Sequence, residues 1–203
     1  WKKERNASMT DLQFPFPYRE GQREIVSGVY HTVSSKKTLF VQAPTGVGKT
    51  MSAIFPSVRA IGEGKGETLF YLTAKTITGT VAWEAFHTLR ENGLKFKVTA
   101  ITAKEKLCFL DSPECTPEKC PYAKGHFDRV NDAVYELWTP EEVYSREVIR
   151  AHAEKWQVCP FEMCLDLSVW VDGVICDYNY AFDPNVHLKR FFGENISGDY
   201  IFL

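Results

Sequence analysis

Between Ala43 and Thr50 the chain reads A-P-T-G-V-G-K-T, with two glycines one residue apart followed by a lysine and a hydroxyl residue. Those residue types in that order suit a polyphosphate. Gly46 and Gly48 let the backbone curl around phosphate oxygens without a side chain in the way. Lys49 supplies a point charge to the outer phosphates, and Thr50 offers a hydroxyl to a magnesium ion. The candidate nucleotide-binding residues are therefore Ala43, Pro44, Thr45, Gly46, Val47, Gly48, Lys49 and Thr50, with a magnesium-bound polyphosphate as the ligand. A glycine-rich turn that binds nothing is the bland alternative. What argues against it is the setting, an apolar run Leu39–Val41 before the loop and Met51, Ile54, Phe55 and Val58 at helical spacing after it. Phosphate binds best where backbone N–H groups converge at a helix start.

A second candidate centre is made of thiols. Six cysteines stand at 108, 115, 120, 159, 164 and 176, and the first four are spaced C-x6-C-x4-C-x38-C. Disulfides do not suit an intracellular nucleotide-binding protein. Three readings of Cys108, Cys115, Cys120 and Cys159 remain open on spacing: an iron–sulfur cluster, a zinc ion, or unliganded thiols. Zinc sites favour two close pairs, and only Cys115 and Cys120 make one; Cys120 and Cys159 each precede proline, as cluster ligands sometimes do. Cys164 falls on a helix without an assigned role, and Cys176 in an apolar strand reads as core.

These candidates need elements to hold them. A polar lead-in over 1–13 gives way to a helix with Ile25, Val26, Val29, Tyr30 and Val33 on one face. Strand and helix then alternate: Leu39–Val41 as a strand, the helix after the loop, "ETLFYL", a helix marked by Val81, Ala85 and Leu89, and "FKVTAIT". That alternation predicts a parallel sheet covered by helices. Around Lys104 the rhythm breaks and an insertion begins. Helical spacing resumes at Phe127, Val130, Val134 and Leu137; Thr139-Pro140-Glu141-Glu142 reads as a capping box, and Ser145 as the cap of a helix through Val148, Ile149, His152 and Trp156. Pro160 suits a first helical position. "DGVICDYNY" reads as a strand returning to the sheet, Asp183-Pro184 as a helix start and "DYIFL" as a last strand. The expected organisation is a lead-in over 1–13, the first part of the main domain over 14–103, an insertion over 104–165 and a return over 166–203.

The totals bound the rest. A chain of 203 residues with 44% apolar content builds a real core, and a net charge of −2 gives no overall basic signature, so any nucleic-acid site must be local. No apolar stretch approaches the roughly 20 residues needed to span a bilayer. A cytoplasmic monomer without a membrane partner is expected. Trp1 in place of Met marks the chain as a piece of something longer.

With both centres placed, the chain resembles the XPD/DinG-type iron–sulfur helicases of superfamily 2, from about Phe14 to the last residue. The resemblance is carried by "FPYREGQ", "APTGVGKT" with its helicase-type Ala43, "LFYLTAKT", "KEKLC", "CPYAKGHFDRV" and "CPFEMCLDLSVWVDGVICDYNYAFDP". It implies an α/β fold, a P-loop RecA-like parallel sheet with an inserted, mainly helical iron–sulfur subdomain. It further implies that the nucleotide is ATP with Lys49 and Thr50 as the catalytic pair, that Gln22 reads adenine with Arg19 as a neighbour, that Cys108, Cys115, Cys120 and Cys159 hold a four-iron four-sulfur cluster, and that Thr73, Lys75 and Thr76 touch single-stranded DNA; by residue type alone, Gln22 also reads as an exposed helix residue and the 73–76 segment as a solvated loop. Lys104 and Lys106 are further candidates for the strand near the cluster, although Glu105, Asp111 and Glu114 make a solvated face an equal reading. Tyr178 and Tyr180 could stack on bases, but core packing at a strand end is the stronger reading. The implied activity is ATP-driven 5′ to 3′ translocation with unwinding at a duplex fork, as in DNA repair. The rival is a nucleotide-dependent, redox-sensing DNA-binding or regulatory module without unwinding. The family's acidic Asp-Glu box would follow Leu203, so these residues alone are expected to lack DNA-stimulated ATP hydrolysis.

Overall fold

The computed structural model describes residues 2–203 apart from 75, 113, 139–142 and 195, and the side chains of 76–78 lie outside the description as well. In chain order the elements are α1 (Lys2–Thr10), α2 (Gln22–Ser34), α3 (Lys49–Gly62), β1 (Thr68–Thr73), α4 (Thr76–Glu91), β2 (Val98–Ala100), α5 (Lys104–Leu107), α6 (His126–Trp138), β3 (Val143–Tyr144), α7 (Arg146–Trp156), α8 (Pro160–Ser168), β4 (Gly173–Asp177), α9 (Asn179–Phe182), α10 (Lys189–Phe192) and β5 (Tyr200–Phe202). The fold is α/β around a five-stranded parallel sheet of order β3-β2-β4-β1-β5. Two compact units divide the chain, one formed by residues up to Phe96 together with Ile175–Leu203, the other by Lys97–Val174.

In the first unit, α3 is the central helix. Met51, Ile54, Phe55, Val58 and Ile61 recur at helical spacing and are all buried. Each such side chain contributes roughly 1.5–3 kcal/mol when it leaves water. α2 packs along α3, and so does α1. The lead-in is thus not loose: Met9 and Leu12 are its only large aliphatic anchors, both buried, and Gly62 of α3 is the close-approach point, where an added Cβ would lie 2.7 Å from that of Met9. A segment with so few apolar residues carries little periodic signal, so its helix was hidden in the sequence. On the sheet, β1 pairs with β5 in the register Thr68 to Tyr200 and Phe70 to Phe202. Phe70, fully buried, packs edge-on against Phe191 at 5.0 Å and Tyr200 at 5.5 Å, which fixes that register.

Several expectations are corrected. Leu39–Val41 is not a strand but irregular backbone, and Phe40 is 93% exposed. An apolar run of that length signals burial without specifying which neighbour it pairs with. In α4 the buried face is Ala82, Ala85, Phe86 and Leu89, while Val81 is exposed; in α6 Phe127 is exposed and Val130, Ala133, Val134 and Leu137 are buried. The strand "DGVICDYNY" ends at Asp177, whose carboxylate accepts the Asn179 N–H at 2.9 Å; Tyr178 and Tyr180 then belong to the α9 turn, not to a strand end, and Tyr178 is exposed. Asp183 starts a turn instead of a helix by accepting the Asn185 N–H at 2.7 Å.

In the second unit, β2 pairs parallel with β3, a short strand that carries little sequence signal, and α6, α7 and α8 pack on one another. Ser145 caps α7 by accepting the Val148 N–H at 3.2 Å, and Pro160 opens α8. The capping box expected at 139–142 lies outside the described residues. The two ends of this unit are joined. Asp172 accepts the Lys97 N–H at 2.8 Å, and the Lys97 carbonyl accepts the N–H groups of Asp172 and Gly173 at 2.9 and 3.0 Å. The buried Lys97 ammonium donates to the Trp138 carbonyl at 2.6 Å and to Tyr144 Oη at 3.1 Å.

Candidate nucleotide site and cysteine cluster

The loop from Ala43 to Gly48 turns through two left-handed glycines, Gly46 at φ 85° and Gly48 at φ 82°, and α3 begins at Lys49. That is the geometry for which glycine is needed. Lys49 Nζ donates to the carbonyls of Ala43 at 2.9 Å and Pro44 at 2.8 Å, so its ammonium is folded back over the concave face of the loop. Thr45 is exposed and Val47 half-buried. Thr50 Oγ1 accepts from Tyr71 Oη at a long 3.4 Å.

Gln22 and Arg19 come to this loop from outside it. Gln22 is buried, and its Oε1 accepts the Arg19 backbone N–H at 3.0 Å. Its amide nitrogen lies where a Cβ on Gly48 would come within 2.6 Å. Arg19 Nη1 in turn donates to the Gly46 carbonyl. Base-side and phosphate-side candidates thus form one hydrogen-bonded assembly. Beside it, a cleft of about 870 Å³ is lined by Lys49, Thr50, Tyr71, Leu39, Val41 and Phe202 among others.

The proposed strand contacts fare differently. Thr73 is buried, with its hydroxyl 3.5 Å from the Cys176 carbonyl. Lys75 lies outside the described residues, as does the side chain of Thr76, the first residue of α4. Lys104 is half-buried on α5, and the Cys115 sulfur beside it holds its ammonium above the usual lysine range.

All of Cys108, Cys115, Cys120 and Cys159 belong to the second unit and are free thiols. Among the described residues no three His, Cys, Asp or Glu side chains converge tightly enough for a single metal ion. Hydrogen-bond donors nevertheless stand at two of the four sulfurs. The Leu110 N–H donates to Cys108 Sγ at 3.4 Å, and Lys104 stands against Cys115. Burial pushes the Cys159 thiol up, against the pull of the Phe161 and Glu162 N–H groups at the start of α8, and Cys108 nearby adds to the rise. Cys164 and Cys176 are apart in character: both are buried, and desolvation pushes their thiols up to about 12.

No family model matches the chain. It is similar to a probable ATP-dependent helicase of Methanocaldococcus jannaschii, 40% identical over 47 residues that cover 23% of this chain and 7% of that protein. It is also similar to the regulator of telomere elongation helicase 1 homolog of Caenorhabditis briggsae, 21% identical over 90% of this chain and 22% of that protein. Both are helicases by name. The likeness is weak, and the chain spans less than a quarter of either relative.

Sequence reasoning missed the residues that hold the cysteine-bearing backbone. Arg150 donates to the carbonyls of Leu107 and Cys108, Arg129 to those of Trp156 and Gln157, and His126 Nδ1 accepts the Cys159 N–H at 3.2 Å. Arginines on exposed-looking helix faces give no signal for such contacts, because their partners are carbonyls that every residue carries.

Proposed function

We propose that this chain is the nucleotide-binding part of an ATP-dependent DNA helicase of the XPD/DinG iron–sulfur type. The observation that supports the reading is the joining of Gln22 and Arg19 to the glycine loop, the arrangement expected if one amide reads the base while the loop cradles the phosphates. Lys49 exchanges its two carbonyl partners for the outer phosphates, Thr50 holds magnesium, and Gln22 reads adenine. The low-identity likeness to two helicases favours a motor over a redox-sensing regulatory module. In the whole protein, ATP turnover drives 5′ to 3′ movement on single-stranded DNA, with Thr73, Lys75, Thr76 and Lys104 as strand contacts, and unwinding at a fork by a cytoplasmic monomer. Cys108, Cys115, Cys120 and Cys159 hold a four-iron four-sulfur cluster, supported by their spacing and by the N–H and ammonium donors at their sulfurs. When bound, the cluster acts as a rigid cross-link among the loops that carry them.

Titration calorimetry with magnesium ATP tests the nucleotide reading. Lys49→Ala removes a charge-assisted phosphate contact and is expected to cost about 2 kcal/mol, roughly 30-fold in affinity, with the fold intact. Equal affinity in wild type and variant overturns the assignment. Gln22→Ala is expected to lower the preference for ATP over GTP.

A further inference from the structure

We propose that Arg150 is a positioning residue for the cysteine centre: from the middle of α7 it fixes the backbone of Cys108 at a set reach from Cys159, which the chain delivers just beyond the end of the same helix. This rests on the reading of the cysteines as a ligand set. The guanidinium makes three contacts at once. It donates to the Leu107 carbonyl and, at 3.0 Å, to the Cys108 carbonyl, and it lies 4.6 Å over the Phe109 ring. Phe109 packs on Tyr122 at 4.5 Å, so the segment after Cys108 is tied to the segment after Cys120. Both carbonyls are served from one nitrogen, Nη1, while the planar guanidinium lies over the aromatic face, a combination of donor and stacking plane that arginine supplies and lysine does not.

The other end of α7 is held as firmly. Gln157 adopts φ 51° and turns the chain toward Cys159. Arg129 Nε donates to the Trp156 carbonyl at 3.0 Å and its Nη2 to the Gln157 carbonyl at 2.6 Å, while His126 receives the Cys159 N–H. α7 is therefore a strut with Cys108 fastened to its middle and Cys159 to its end. Partners that orient ligands without touching a metal typically change its retention by 10–100-fold when removed.

The experiment uses anaerobically purified protein and three variants, Arg150→Ala, Arg150→Lys and Lys155→Ala. The last removes the α7 ion pair to Glu136 and leaves the Arg150 contacts in place. Iron and acid-labile sulfide per chain are measured first, then the decay of visible absorbance with a chelator in air, with circular dichroism confirming the fold. Arg150→Ala is expected to lose iron roughly 10-fold faster than wild type, Arg150→Lys at an intermediate rate, and Lys155→Ala at the wild-type rate. A parallel measurement needs no iron. In stripped protein with Cys115 and Cys120 changed to serine, capture of Cys108 and Cys159 by phenylarsine oxide, a reagent that must bridge two thiols, is expected to be slowed by a similar factor in Arg150→Ala. Should Arg150→Ala fold poorly, Arg150→Lys carries the same two measurements. Wild-type iron without cluster-type absorbance, or no iron at all, removes the cluster reading, and the arsenical rates then decide Arg150 by themselves. Wild-type rates in the Arg150 variants overturn the proposal.

Discussion

Lys49 reaches carbonyls five and six residues back along the chain, whereas Arg150 reaches carbonyls 43 and 42 residues away. The glycine loop takes its curve mainly from its own backbone, with two glycines in the left-handed region and one lysine folding over it, and Arg19 and Gln22 brace it from outside. The cysteine-bearing unit has no such local rule. Its thiols stand on short irregular stretches, and their spacing in space depends on α6 and α7 being correctly packed. A local site can be damaged by one residue of the wrong shape and leave the rest standing; a distributed site is damaged by loss of a distant strut.

Thiol chemistry gives the largest expected contrast. In metal-free protein at neutral pH, exposed Cys115 is expected to alkylate readily. Cys164 and Cys176, with thiols pushed up to about 12, should resist until unfolding. Raising a thiol above the usual value lowers its thiolate fraction tenfold for each pH unit, so protection by roughly a thousandfold is expected before steric burial is counted. Mass spectrometry of a labelling time course checks it. Rapid labelling of Cys164 would mean that the second unit opens as a whole.

Next in size is Asp172→Ala. It leaves the buried Lys97 N–H without its carboxylate acceptor and is expected to cost about 2 kcal/mol in urea unfolding followed by tryptophan fluorescence. The nucleotide affinity of the first unit should be spared. Gly48→Ala reverses that pattern. The positive φ alone costs a residue with a Cβ about 1–2 kcal/mol, and the Cβ would press on Gln22, so ATP affinity should fall with only that modest loss of stability. Ser145→Ala, which removes the α7 cap, is the smallest at about 1 kcal/mol, and faster chelator release of iron should accompany it if α7 is the strut. An unchanged release rate would place the strut nearer Arg150 alone.

What the sequence reveals follows the same division. The loop, its following helix and the Ser145 and Pro160 caps are short-range features, and A-P-T-G-V-G-K-T, S-x-x-V and C-P announce them. β1 and β5 were legible as apolar runs, but β3 has only two residues and no distinguishing pattern. Leu39–Val41 shows the converse: three apolar residues suggest a strand, and no property of those residues alone decides whether an edge receives them. α1 was invisible because it docks through Met9 and Leu12 onto a glycine of α3 rather than through a full apolar stripe. For the thiols, spacing named the candidates, while the guanidinium contacts at Cys108 and near Cys159 are products of tertiary packing.

The bonds joining Lys97 to Asp172 and Gly173 bear on how the second unit holds its own two ends. Three hydrogen bonds bring the incoming and outgoing chain side by side, so everything between them is, in chain-statistical terms, a loop already closed by its own neck. Lengthening a closed loop costs only a slowly rising logarithm of its length. The connections from β2 to β3 and from β3 to β4 can therefore grow or shrink at little entropic cost, provided the neck and the two short strands β2 and β3 are kept.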